Sequence, residues 1–130
     1  MTSCTIIISH YESLPFLHAC LRQINKCRNK DVHQNIIIAD QSRLPYNLDL
    51  GPDHLIQPED LVTIINGKSL YSGYGIDYIM RNIDIKTEYI AQIHVDAMPI
   101  SDKWLLLPIK LIEENNFSFV GQHQFVCDGT

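Results

Sequence analysis

Three short runs, Thr5-Ile6-Ile7-Ile8, Asn35-Ile36-Ile37-Ile38 and Tyr89-Ile90-Ala91-Gln92-Ile93, constrain what this chain can fold into more than any other feature. They are rich in β-branched residues and far shorter than the roughly 20 apolar residues that a membrane-spanning helix needs. They also alternate too weakly for strands that are wet on one face, so they suit a parallel sheet covered on both faces. Each run stops at polar residues: Ser9-His10-Tyr11-Glu12, Ala39-Asp40-Gln41-Ser42 and His94-Val95-Asp96. Open α/β sheets bind ligands outside the carboxyl ends of their strands, so these three endings are where a site is expected.

The stretches between the runs supply the connections. Ser13 is placed to cap a helix whose Leu14, Leu17, Leu21 and Ile24 recur at near-helical spacing, with Pro15 tolerated in the first turn. A parallel second strand needs such a crossover, and crossovers are right-handed in nearly all proteins, so the opening reads as a βαβ unit. Turn formers fill residues 43–53, and His54-Leu55-Ile56-Gln57 is the expected third strand. From Ser69 to Ile85 the pattern predicts a glycine-containing loop and then a helix with Ile76, Ile79, Met80 and Ile83 on one face. Ser101 or Asp102 opens a further helix through Trp104, Leu105, Leu111 and Ile112 to Asn115-Asn116. Pro108, which lacks an amide hydrogen, predicts a kink or restart inside it, and Phe117-Ser118-Phe119-Val120-Gly121 is the expected final strand. The whole reads as a single α/β domain over residues 1–130, an α/β/α sandwich on a mostly parallel sheet.

Composition narrows the function classes. At 130 residues and 45% apolar content the chain has material for one core and one domain. A net charge of -5 with scattered basic residues argues against a nucleic-acid partner, since phosphate backbones are held by clustered Lys and Arg. No stretch is a transmembrane candidate, and Met1-Thr2-Ser3-Cys4 lacks the features of a signal peptide, so the expected location is the cytosol or the cytoplasmic face of a membrane. Cys4, Cys20, Cys27 and Cys127 form no C-x-x-C pair and read as reduced thiols. Gly67-Lys68-Ser69 has the tail of a phosphate-binding P-loop, but Val62 stands where its first glycine belongs. The first strand is followed by His10-Tyr11-Glu12-Ser13 and not by the glycines that a dinucleotide pyrophosphate requires, which argues against NAD and FAD.

The residues that remain resemble the family 2 glycosyltransferases of the GT-A fold, and the likeness covers nearly the whole chain. Ile7-Ile8-Ser9-His10-Tyr11-Glu12 looks like that family's opening strand and its Ile-Pro-Thr-Tyr-Asn turn. Ile37-Ile38-Ala39-Asp40-Gln41-Ser42 looks like its Val-Val-Asp-Asp-Gly-Ser segment. Gly73-Tyr74-Gly75 followed by Arg81-Asn82 is similar to the loop and helix before its acidic motif. His94-Val95-Asp96, with Pro99 behind it, falls at the place of the Asp-x-Asp motif. The resemblance implies a GT-A-like domain that binds a nucleotide-diphosphate sugar, UDP-linked by preference, for transfer to a glycan or lipid acceptor. His10, Tyr11, Glu12, Asp40, Arg81, His94 and Asp96 would surround the donor. Asp40 would hydrogen-bond the nucleoside, Arg81 would reach a phosphate, and Asp96 would hold a divalent cation, Mn²⁺ or Mg²⁺, for which carboxylate oxygen is a fitting ligand.

Departures from the family pattern are specific. His94 replaces the first carboxylate, and imidazole suits Mn²⁺ better than Mg²⁺. Ser9 replaces the usual Pro, and Glu12 the usual Asn. The family continues into an acceptor-binding half that supplies the general base, so the chain is expected to be the donor-binding part of a longer enzyme, the alternative being a stand-alone donor-binding domain without its own base.

Plainer readings stand beside these: Asp40 as a strand-end turn residue, Asp96 as a helix cap, His94 as a hydrogen-bonded wall and Arg81 on a solvated helix face. Tyr11 is the stacking candidate, Trp104 reads as core, and His123 has only its position to recommend it as a ligand. The alternative function is a non-catalytic interaction or regulatory domain that keeps the fold.

Overall fold

A computed structural model describes residues 1–42, 61–63 and 72–121. The elements run β1 (Thr2–His10), α1 (Leu14–Lys26), β2 (Val32–Asp40), β3 (Leu61–Thr63), α2 (Ser72–Asn82), β4 (Tyr89–His94) and α3 (Leu106–Asn115). The strands form one parallel sheet in the order β3-β2-β1-β4. This is an α/β arrangement, compatible with a Rossmann-like fold. The expected third strand at His54-Leu55-Ile56-Gln57 lies outside the described residues, as do Gly67-Lys68-Ser69, His123 and Cys127; the β3 that is described begins at Leu61.

Side-chain alternation divides the core in two. Ile6, Ile8, Ile36 and Ile38 pack with Leu17, Cys20, Leu21 and Ile24 of α1 and with Leu105 and Ile109 at α3. Ile7, Ile37 and Ala39 point the other way and meet Ile79 of α2, with Ile76, Ile83 and Ile85 beside it. Over β1 and β2 helices therefore cover both faces, and their isoleucine runs are apolar at every position because neither face is wet. The Tyr89-Ile90-Ala91-Gln92-Ile93 run departs from that expectation: Tyr89, Ala91 and Ile93 pack on the α1-side core, while Ile90, 45% exposed, and Gln92 are exposed on the other face because α2 packs over β1 and β2. Met80, expected on the apolar face of α2, is 51% exposed; one residue past Ile79, it is rotated by about 100° and leaves the sheet.

The strand order reverses direction between β1 and β4. From β1 the chain steps through α1 to β2 on one side, whereas β4, reached through α2, returns on the other side of β1. Right-handed crossovers then require α1 and α2 on opposite faces, as the two core clusters show. That reversal is the topological switch point of the sheet.

The helix ends refine the expectations. Ser13 precedes α1 but makes no side-chain cap; its carbonyl accepts from Leu17 N–H at 3.0 Å instead. Residues 102–105 form turns before α3, with Ser101 Oγ accepting from Lys103 N–H at 3.2 Å. Pro108 thus lies in the first turn of α3, where its missing N–H costs no intrahelical bond. Asn116 ends the helix in the left-handed region at φ 54°, and Phe117 N–H closes back on Ile112 O at 3.0 Å. The strand expected at Phe117 to Gly121 is not formed, and Phe119 is 81% exposed. Because α3 lies on the α1 face, a right-handed crossover from β4 would deliver a strand to the place β1 already holds. Among the described residues no helix is long and apolar enough to cross a membrane.

Candidate functional site

His10 and Asp40 are register partners at the carboxyl ends of β1 and β2, so their side chains lie on one face, side by side. Both side chains are fully buried, with His10 Nδ1 3.1 Å from Asp40 Oδ1. Ser42 N–H donates to the same Oδ1 at 2.9 Å, an Asx-type turn that fastens the carboxylate to its own loop. Glu12 N–H donates to Ser42 Oγ at 3.0 Å, which ties the loop after β1 to the loop after β2. Asp40 Oδ2 is buried and has no hydrogen-bond partner among the described residues. A buried carboxylate oxygen without a donor is costly.

Glu12 holds φ 44°, a left-handed conformation that L-residues adopt at a cost. Its neighbour Tyr11 is 37% exposed, which leaves a ring face for contact.

On the other face of the sheet, α2 approaches the same strand ends. A Cβ added at Gly75 would stand 2.9 Å from Ala39 Cβ, 3.1 Å from Gln41 Nε2 and 3.8 Å from Ser9 Oγ. Ser9 in turn is the register partner of His94, whose side chain is exposed across the switch point.

The loop after β4 carries Asp96, which is exposed in a turn closed by Ala97 N–H to His94 O at 2.9 Å. Side chains of α1 and of the loop that follows it hold this segment. Cys20 Sγ–H donates to Ala97 O at 3.4 Å, Cys27 Sγ–H to Pro99 O at 3.6 Å, and Asn29 Nδ2–H to Asp102 O at 3.0 Å. Burial first, and the nearby charge of Asp96 second, push the Cys20 thiol up from 9.0 to about 11, so it stays a protonated donor. Beyond the turn, Ile93, Ala97, Met98, Pro99, Ile100 and Trp104 line an apolar cleft of about 520 Å³. Trp104 is half-buried against the α1-side core.

Of the residues singled out in the sequence, His10, Glu12 and Asp40 are joined through one hydrogen-bond network, while Tyr11, His94 and Asp96 flank it on the same edge. The structure does not bring Arg81 to this edge. Arg81 lies in the last turn of α2, six residues or about 9 Å along the axis from Gly75 toward the amino ends of the strands. It is exposed and paired with Asp77 at 2.8 Å on the outer helix face. Among the described residues no group of three His, Cys, Asp or Glu side chains could hold a metal ion. Sequence reasoning missed the roles of Ser42, Cys20 and Cys27. The seven-residue spacing of the two cysteines, which puts them on one stripe of α1, was the available signal. No model of a known protein family matches this chain, and no curated protein matches it.

Proposed function

We propose that this domain is the donor-binding part of a glycosyltransferase with a GT-A-like fold, taking a nucleotide-diphosphate sugar, UDP-linked by preference. The observation that carries the reading is Asp40: a fully buried carboxylate at a strand end, one strand from the switch point, with one oxygen held by protein donors and the other without a donor among the described residues. Such a group recognises an N–H or O–H of a nucleoside and rejects anionic phosphate, which assigns it to the base or ribose end of the ligand. Tyr11 supplies a partly exposed ring for stacking. His94 and Asp96 then face the diphosphate end across the switch point.

A divalent cation suits Asp96 in one way. Asp96 is an exposed carboxylate with the imidazole of His94 two residues away, and ions such as Mg²⁺ are often held by one or two carboxylates with phosphate oxygens completing the shell. When bound there, the ion would neutralise charge on the departing diphosphate. The residues of this chain bind and orient the donor: Asp40 fixes the nucleoside, and α1 with the loop after it, through Cys20, Cys27 and Asn29, keeps the Asp96 loop in place.

Titration calorimetry with UDP, GDP and dTDP, each with and without Mn²⁺, tests the reading. UDP is expected to bind best and in a Mn²⁺-dependent way. Asp40→Asn should weaken it by about tenfold or more, the worth of a hydrogen bond to a charged group, and Asp96→Ala should remove the metal dependence. His94 in the place of the first carboxylate of the acidic motif favours a second reading, an interaction domain that keeps the fold. Absence of binding to any of the three nucleotides would make that reading the leading one.

A further inference from the structure

His10 is buried among protein partners, and its two ring nitrogens have opposite duties. Nε2 lies 3.0 Å from the backbone N–H of Ser13, the residue before α1. A backbone amide can only donate, so Nε2 must carry the lone pair. The single proton of a neutral imidazole is then on Nδ1, where it faces Asp40 Oδ1 at 3.1 Å, with Ser42 Oγ at 3.4 Å as a weaker second acceptor. Asp40 Oδ1 therefore receives two donors, Nδ1–H of His10 and N–H of Ser42. Two donors on one oxygen set the rotation of the carboxylate about its Cβ–Cγ bond and leave the buried Oδ2 without a partner among the described residues. The ring is itself held from behind by the start of α1, so the chain of contacts runs from helix to ring to carboxylate.

We propose that His10 is a positioning residue: fixed as the neutral Nδ1–H tautomer, it aims the Asp40 carboxylate so that Oδ2 is presented to the ligand, and it does not touch the ligand itself. The inference rests on the nucleotide-sugar reading for what Oδ2 meets, but the tautomer and its hold on Asp40 belong to the free protein. A side chain that supplies a donor where Nδ1–H stands should therefore replace histidine in part. Asparagine reaches that place with its amide nitrogen, and alanine does not.

The test has two arms. In the free protein, long-range ¹H–¹⁵N spectra of the imidazole should show a protonated Nδ1 and an unprotonated Nε2, and the Asp40 ¹³Cγ resonance should move in His10→Ala and return toward its wild-type position in His10→Asn. With UDP and Mn²⁺ as the probe, His10→Ala should weaken binding by about tenfold, His10→Asn should recover most of the loss, and His10→Ala should add little on top of Asp40→Asn. An Nε2–H tautomer, or an Asp40 resonance indifferent to both substitutions, overturns the proposal. So does a His10→Ala loss that adds fully to that of Asp40→Asn. If wild-type protein binds no UDP, the donor-binding reading fails while the resonance arm still decides the role of His10.

Discussion

At the scale of single residues, strain and burial make separate predictions. Glu12 sits at φ 44° while its N–H serves Ser42 Oγ, so its side chain is dispensable to the link but its Cβ is not free of cost. Glu12→Gly should keep the hydrogen bond and relieve a left-handed penalty of about 1–2 kcal/mol, offset by the entropy of about 0.5–1 kcal/mol that glycine loses on folding, with urea titrations reading the balance. The thiols give a pH dependence. Burial raises Cys4 and Cys20 from 9.0 to about 11, so in the folded state both hold their protons where the unfolded chain releases them. Their contribution is fully present below pH 9 and is lost as pH rises toward 11. Denaturation midpoints should fall over that window, and Cys20→Ala should flatten the decline. An equally steep fall in Cys20→Ala would assign the effect to other groups.

At the scale of elements, α2 approaches β2 closely at Gly75. Gly75 costs the helix about 1 kcal/mol relative to alanine, yet a Cβ there would stand 2.9 Å from Ala39 Cβ. Displacing a packed helix from a sheet costs about 1–3 kcal/mol, so Gly75→Ala should destabilise the protein despite its better helix propensity. Ala39→Gly should rescue it, and a double-mutant cycle should give a coupling of about 1 kcal/mol or more. Additive losses would mean that α2 moves without cost. On the opposite face, the three bonds from Cys20, Cys27 and Asn29 make the Asp96 loop an extension of the α1 layer. Asn29→Ala should therefore increase amide exchange around Asp102 more than anywhere in β1 or β2.

For the molecule as a whole, the sheet order sets the location of the site, and ligand binding there should be felt globally. UDP with Mn²⁺ at about 100 times its Kd should stabilise the fold by about 2.7 kcal/mol and raise the thermal midpoint accordingly. Asp40→Asn should lose most of that rise at the same ligand concentration; an unchanged rise would place the nucleotide elsewhere. The strands β1, β2 and β4 and the helix α1 were legible in the sequence because isoleucine runs and a 3.6-residue period are local signals. Asp40 and Asp96 were legible as strand-end carboxylates for the same reason, since each lies within three residues of the end of its run. The missing strand at Phe117 to Gly121 was not legible: its apolar residues fit a strand, but the face on which α3 packs decides whether a neighbour position exists. Nor was the distance of Arg81 from the cluster, which depends on the direction in which α2 crosses the sheet. The pairing of His10 with Asp40 and the orphaned Oδ2 come from the parallel register of two strands 30 positions apart, a long-range fact that no local pattern encodes. Sequence by itself determined the kinds of element and the residues at their ends, because propensity and periodicity act over a few neighbours. Tertiary structure alone decided which of those residues meet, because contact across a sheet follows from strand order, register and the hand of the crossovers.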